Sequence, residues 1–254
     1  MLANLQLVLD NPEVNYRQTS NLQGVLMEQI DTEYAERLHQ NTLNPYSMSV
    51  IREGNKTIWN ISTLNQEAYE QIIMPLLSDS FQSFEMKKKE LSIKILEKDL
   101  TTKPKNELMQ DFYKGEVSKY INIEFVTPTA FKSEGHYIFY PDVRLMYNSL
   151  MNKYSAASTE VDMRDESTLE ELMKHSEIVH YKLRSVPFPL EGIRVPGFVG
   201  TITIKIHGNQ TLASYAKLLF SFGEFSGVGI KTAMGMGRIR LYEKGSDKNV
   251  HKDE

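Results

Sequence analysis

GFVGTITIKIHGNQTLASYAKLLFSFGEFSGVGIKTAMGMGRIRL, residues 197–241, reads as strand, helix, glycine-rich loop and strand, in that order. In TITIKI the apolar side chains fall on every second position, the pattern of a half-buried strand, and TLASYAKLLFSFGEF has a helical period. Between helix and closing strand lies SGVGIKTAMGMGR, residues 226–238, with two Gly-x-Gly pairs, Gly227/Gly229 and Gly235/Gly237, and Lys231 between them. Glycine is used where the backbone takes a positive φ or lies against something with no Cβ in the way. Four in the eleven residues 227–237 exceed what a turn needs. A dinucleotide fingerprint would run from a strand through the glycines into a helix, and a P-loop would continue Gly-Lys-Ser/Thr; here the helix comes first and the spacing differs. The loop is therefore expected to hold a phosphate backbone through Gly227, Gly229, Lys231, Gly235 and Gly237.

Upstream of this stretch, INIEFVTPTAF reads as a strand, HYIFYPD as a short strand, VRLMYNSLMNKY as a helix, and STEVDMRDESTLEELMKHSE as a polar excursion carrying one more helix. IVHYKLRSV and IRVPG are further strands. The first half shows a similar cycle. LANLQLVLD alternates like a strand, residues 23–40 are helical in period, and PYSMSVIREG with KTIWNIST forms a hairpin turning at Gly54 and Asn55. NQEAYEQIIMPLLSD is a second helix with Asn65 as N-cap, and KKKELSIKILEKDL supplies a strand. Two rounds of βαββαβ predict an α+β fold of two tandem ferredoxin-like domains. The expected division is 1–110 and 111–254, with a polar join near 103–116 and a disordered tail GSDKNVHKDE.

Composition narrows the class. The chain has 254 residues, 41% hydrophobic and 24% charged, with no cysteine, so a disulfide framework and a thiolate metal site are excluded. No apolar stretch is long enough to span a bilayer, and the polar, acidic start does not read as a signal peptide, so no membrane partner and a cytoplasmic location are expected. The formal net charge of −4 argues against indiscriminate coating of nucleic acid. Charge is unevenly placed: residues 1–40 hold six acidic and two basic side chains, residues 181–240 eight basic and two acidic. Arg194 and Arg238 belong to this basic part, which reads either as a solvated face or as a footprint for a polyanion.

His136 and His180 lie in expected strands, His207 in a turn, His175 on a polar helix and His251 in the tail, none with a ligand-like partner. His39 closes the helix over 23–40, where an imidazole also complements the C-terminal dipole. Most aromatics, and the methionines at 146, 151, 163 and 173, are expected to fill cores. No compact Asp/Glu/His signature of a two-metal site is present, and neither metal nor cofactor is expected.

The segment FSGVGIKTAMGMGRIRL resembles the glycine-rich loop of the CRISPR repeat-processing endoribonucleases, the sixth family in the Cas nomenclature, within the RAMP superfamily. LQGVLMEQIDTEYAERLHQNTLNPYSMS, EFVTPTAFKSEGHYIFYPDVRLMYNSL and GFVGTITIKIHG are similar to that family in order and position, so the resemblance spans nearly the whole chain. It implies metal-free cleavage of precursor CRISPR RNA within each repeat by attack of the ribose 2′-OH, leaving a 2′,3′-cyclic phosphate and a 5′-OH. It implies His39 as general acid/base, CRISPR repeat RNA as partner, a monomer or homodimer, and transient contact with an effector complex. Many relatives carry a tyrosine in the first helix where this chain has Met27, and a lysine beyond the histidine has no match. Tyr34, Tyr46 and Lys231 are the candidates to stabilise the transition state in their place. A RAMP subunit that binds CRISPR RNA without cutting it, and a ferredoxin-like enzyme acting on a small molecule, are the other readings.

Overall fold

The computed structural model describes residues 1–87, 90–113, 117–158, 161–190 and 192–243; the expected tail lies outside them. β1 (Leu2–Leu9) leads through a 3-10 turn at Tyr16–Gln18 into α1 (Thr19–Gln29) and α2 (Thr32–Gln40). The one helix expected over 23–40 is thus two. Ile30 is extended, with φ −104° and ψ 165°, and the Asp31 side chain accepts the Tyr34 N–H to start the second helix. Ile30 still faces the core, so the apolar period runs through the break and conceals it.

The hairpin β2 (Tyr46–Glu53) and β3 (Lys56–Thr63) turns through Gly54 at φ 57°. Asn65 caps the next helix as expected, accepting the Ala68 N–H at 2.8 Å. That helix is not uniform: α3 (Gln66–Ala68) and α4 (Met74–Leu77) flank a π turn at Tyr69–Ile73. Pro75 has no N–H to give and its ring crowds the carbonyl four residues back, and the wider turn ahead of it accommodates both. β4 (Ser83–Met86), which periodicity missed because it is only four residues long, pairs with β5 (Leu91–Lys103). The sheet order is β2-β3-β1-β5-β4, antiparallel throughout.

Where a polar join was expected, α5 (Lys105–Tyr113) forms and packs on the later helix α8 (Gln210–Ser226), with Leu108 buried in the second core. β6 (Tyr120–Thr129), the small hairpin β7 (Phe131–Ser133) and β8 (His136–Ile138), α6 (Val143–Ala156) and α7 (Glu166–His175) follow. Then come β9 (Ser176–Ser185), the hairpin β10 (Phe188–Leu190) and β11 (Ile193–Val195), and β12 (Phe198–Ile206). After α8 the chain closes with β13 (Ile239–Leu241), shorter than expected because residues 236–238 stay in the loop. The second sheet is ordered β13-β6-β12-β9.

In both sheets the first strand of the unit lies between its third strand and its closing strand, the ferredoxin-like arrangement. One core gathers Leu5, Leu26, Trp59 and Ile72; the other gathers Ile123, Phe125, Tyr147, Ile202 and Phe220. The units are packed against each other. Val126 joins Val8, Ile51 and Ile58, the Ser47 hydroxyl donates to the Phe225 carbonyl, and Arg240 pairs with Glu53 at 2.6 Å. Among the described residues, no helix is long and apolar enough to cross a membrane.

Candidate active site

The turn between α1 and α2 decides where His39 goes. Capping by Asp31 restarts the helix so that Tyr34 and Leu38, four apart, face the core, and His39 in the last turn is left exposed. Its imidazole lines a cleft of about 340 Å³ together with Gln23, Gly24 and Met27 of α1 and Glu85, Met86 and Lys87 at the end of β4. Among the described residues it has no hydrogen-bond or ion-pair partner. His207 and His175 differ: they lie 2.8 Å from Glu177 and 3.3 Å from Glu171. An unengaged imidazole beside a cleft is free to take or give a proton.

Met27, the residue in place of the family tyrosine, lines this cleft with His39. Two further side chains there were missed. Gln23 donates through Nε2 to the Tyr46 hydroxyl at 3.2 Å, which orients its carboxamide. Lys87 is exposed and bound to Glu28 at 2.6 Å, and that hydrogen bond raises its pKa. Lys87 opens a lysine run that reads as a solvated strand entry; no sequence spacing relates it to His39, because β4 reaches the cleft by pairing with β5 and packing on α1.

The tyrosines lie elsewhere. Tyr34 is 3% exposed, its ring under the Arg37 guanidinium at 5.1 Å, and burial pushes its hydroxyl up to about 12. Tyr46 is 1% exposed and likewise pushed up to about 12 by burial. Neither lines the cleft with His39; the Tyr46 hydroxyl touches it only by accepting from Gln23. Lys231 is exposed but is not part of the cleft wall either.

The glycines of the loop sit against the protein itself. A Cβ on Gly229 would lie 2.2 Å from the Ala130 carbonyl oxygen, and one on Gly237 2.1 Å from that of Val228. On Gly227 it would meet Thr232 at 2.8 Å, and on Gly235 the Thr19 side chain at 2.5 Å. All four have positive φ, and Gly227, Gly235 and Gly237 are buried. The backbone here is laid against the protein itself. Lys153 fastens the loop's start: its buried ammonium donates to the Gly227 carbonyl at 3.0 Å and to Thr232 Oγ1 at 3.3 Å. Burial lowers its pKa to about 7.

Arg238 is half-buried, its Nε without a partner, and desolvation lowers its pKa to about 10. Arg194 lies elsewhere, at a surface groove. On the β10–β11 hairpin, it lines a groove with Arg17, Ser20 and Asn21. Ser20 and Asn21 also line the His39 cleft, so the two depressions meet at the first turn of α1. Gly235, packed on Thr19, supports that turn from below.

Comparison with known proteins bears on the whole arrangement. A family profile described as CRISPR-associated endoribonuclease Cas6 matches residues 123–239. A protein of Streptococcus thermophilus with the same description is 38% identical over 222 residues, 87% of this chain and 90% of its own. A counterpart from Mycobacterium tuberculosis is 37% identical over 222 residues, 87% of this chain and 70% of its own. Among solved structures, a Cas6 product complex superposes with a TM-score of 0.79 at 21% identity, over 95% of this chain and 99% of that one. A Thermus thermophilus Cas6 does so with 0.69 at 21% identity, over 95% and 98%.

Proposed function

This chain belongs to the CRISPR-associated endoribonuclease Cas6 family, and we propose that it cuts precursor CRISPR RNA within the repeats, without metal, by intramolecular attack of a ribose 2′-OH. The bond from O2′ to phosphorus forms as the bond from phosphorus to O5′ breaks, leaving a 2′,3′-cyclic phosphate and a 5′-OH. The nucleophile is tethered, so the protein needs proton transfer and a positive group at the phosphorane. The observation that carries the reading is the unengaged His39 imidazole at a cleft whose other wall bears Lys87. His39 relays the proton at O2′ or O5′, Lys87 faces the developing charge, and Gln23, oriented by Tyr46, donates to a non-bridging oxygen.

Arg17 and Arg194 then hold phosphates of the RNA strand on its way over Ser20 and Asn21 to His39. The exposed Lys231 adds an electrostatic contact from the glycine loop, whose Gly235 packs on Thr19 of α1. The packing of α5 with the second core supports a division between units ahead of it, near residue 104, as an alternative to the expected 110. A cytoplasmic location, a monomer or homodimer and transient contact with an effector complex go with this reading.

The test is cleavage of labelled repeat RNA in excess EDTA, with the ends identified. We expect undiminished cutting, a cyclic phosphate product, and no cutting when the single ribose 5′ of the scissile phosphate is 2′-deoxy. Loss of activity on chelation, or cleavage of the deoxy substrate, sinks the tethered-nucleophile mechanism.

A further inference from the structure

A second and larger cavity, about 710 Å³, opens against α2 where Tyr34, Arg37 and Gln40 line it; the loop from Asn41 to Pro45, the start of α3 and the end of α6 complete the wall. His39 lines the first cleft and Gln40 this one, and consecutive Cα atoms are only about 3.8 Å apart. A strand crossing the end of α2 therefore meets both depressions within a short span.

The wall chemistry says what it takes. Arg37 is paired with Glu67 at 2.9 Å, which offsets its charge at this wall, and the Lys153 ammonium is turned inward to Gly227 and Thr232, so the cavity is not a cluster of open cations. The side-chain amides of Gln40, Asn41 and Asn44 line the rest, while Asn65 Oδ1 is taken up by the Ala68 N–H. Each amide pairs a donor with an acceptor, as the edge of a nucleobase does. Asn44 Oδ1 at this wall has no hydrogen-bond partner, and Leu43, 40% exposed, offers an apolar surface for a ring. The volume lies in the range of pockets that enclose small organic groups.

We propose that this cavity receives one unstacked base of the RNA next to the scissile phosphate, and so fixes which phosphodiester meets His39. The inference rests on the RNA-cutting reading above. An unpaired base turned out of its stack is the form in which RNA sequence is commonly read.

The experiment replaces, one at a time, the bases of about three nucleotides on either side of the cut by a ribose abasic residue, which keeps the backbone and the 2′-OH. Affinity and cleavage are measured for the parent, Gln40→Ala and Asn44→Ala, with thermal melts alongside. One abasic position should weaken binding to the parent by about 10-fold, in line with the loss of one held base, and to both variants by less than about 2-fold. A parent that cuts the intact repeat but is indifferent to every abasic position overturns the pocket alone, as does an equal penalty in parent and variants. A parent that neither binds nor cuts intact repeat RNA overturns the function beneath it as well.

Discussion

The glycine loop over 227–237 and the helix end at His39 look opposite in sequence from what they are in space. The loop has the composition of a ligand cradle, yet its glycines lie against the protein itself: carbonyl oxygens stand 2.1 and 2.2 Å from the places two Cβ atoms would occupy, and threonine side chains close on the other two. The histidine has the setting of an ordinary capping residue, yet its ring lines a cleft with no partner among the described residues. Glycine reports close approach without saying of what. An exposed imidazole with no internal partner, at a concave surface, is open to a ligand.

The sharpest way to break this contrast is to add a methyl group to the loop. Gly237→Ala and Gly229→Ala should give little or no folded protein, since each sets a Cβ against a carbonyl oxygen at a φ of 74° or 82°. Gly54→Ala is the control: φ there is 57° but nothing lies within 4 Å, so only the backbone cost of about 1 kcal/mol is expected. Thermal melts and soluble yield decide it. A Gly237→Ala protein that melts with the parent and merely loses RNA would restore the ligand cradle.

The second largest effect belongs to the other side of the comparison. His39→Ala should keep the parent melting temperature and RNA affinity while single-turnover cleavage slows by roughly 10² to 10⁴, the usual contribution of one positioned acid or base. An undiminished rate transfers the proton to another group in the cleft.

These two regions also show what was legible. Both βαββαβ rounds were readable because strand and helix periods persist through Ile121, Ile123 and Phe125 or Leu145, Met146 and Leu150, where burial follows the local repeat. The break at Ile30 was not, because the same residue satisfies the core on either reading; the Asp31 cap was the signal. α5 was hidden by its polar composition, since few of its residues, Leu108 among them, face the core. At the site, His39 and Arg194 were visible as residue types on accessible elements. Gln23 lies four residues before Met27 on α1, so its place at the cleft could have been read from helical spacing, but its hydrogen bond to the Tyr46 hydroxyl and the approach of Lys87 after β4 could not.

A third, smaller effect probes how firmly the loop is fastened. Lys153 has a folded pKa of about 7 against the ordinary 10.5, so between those values the unfolded chain binds more protons and stability rises with pH. The parent should gain on Lys153→Met as pH goes from 7 to 9, by up to about 1.4 kcal/mol per unit. Urea melts at matched ionic strength measure it. A constant difference means that the carbonyls of the loop keep the ammonium charged throughout.

The smallest effect falls on Lys231, the exposed residue of the loop, and it separates charge from backbone. Its φ of 56° is left-handed, a conformation in which glycine is at ease and a residue with a Cβ is not. Lys231→Gly therefore removes the charge while relieving strain, and Lys231→Ala removes the same charge and keeps the strain. If the side chain touches one RNA phosphate, both variants lose affinity by the same few-fold factor, and the slope of log affinity against log salt falls by about one unit in each. Their stabilities should part, with Lys231→Gly at or above the parent. Equal affinities in parent and both variants would leave the loop wholly structural, and RNA attraction on this side would then belong to Arg17 and Arg194, whose groove meets the His39 cleft at Ser20 and Asn21.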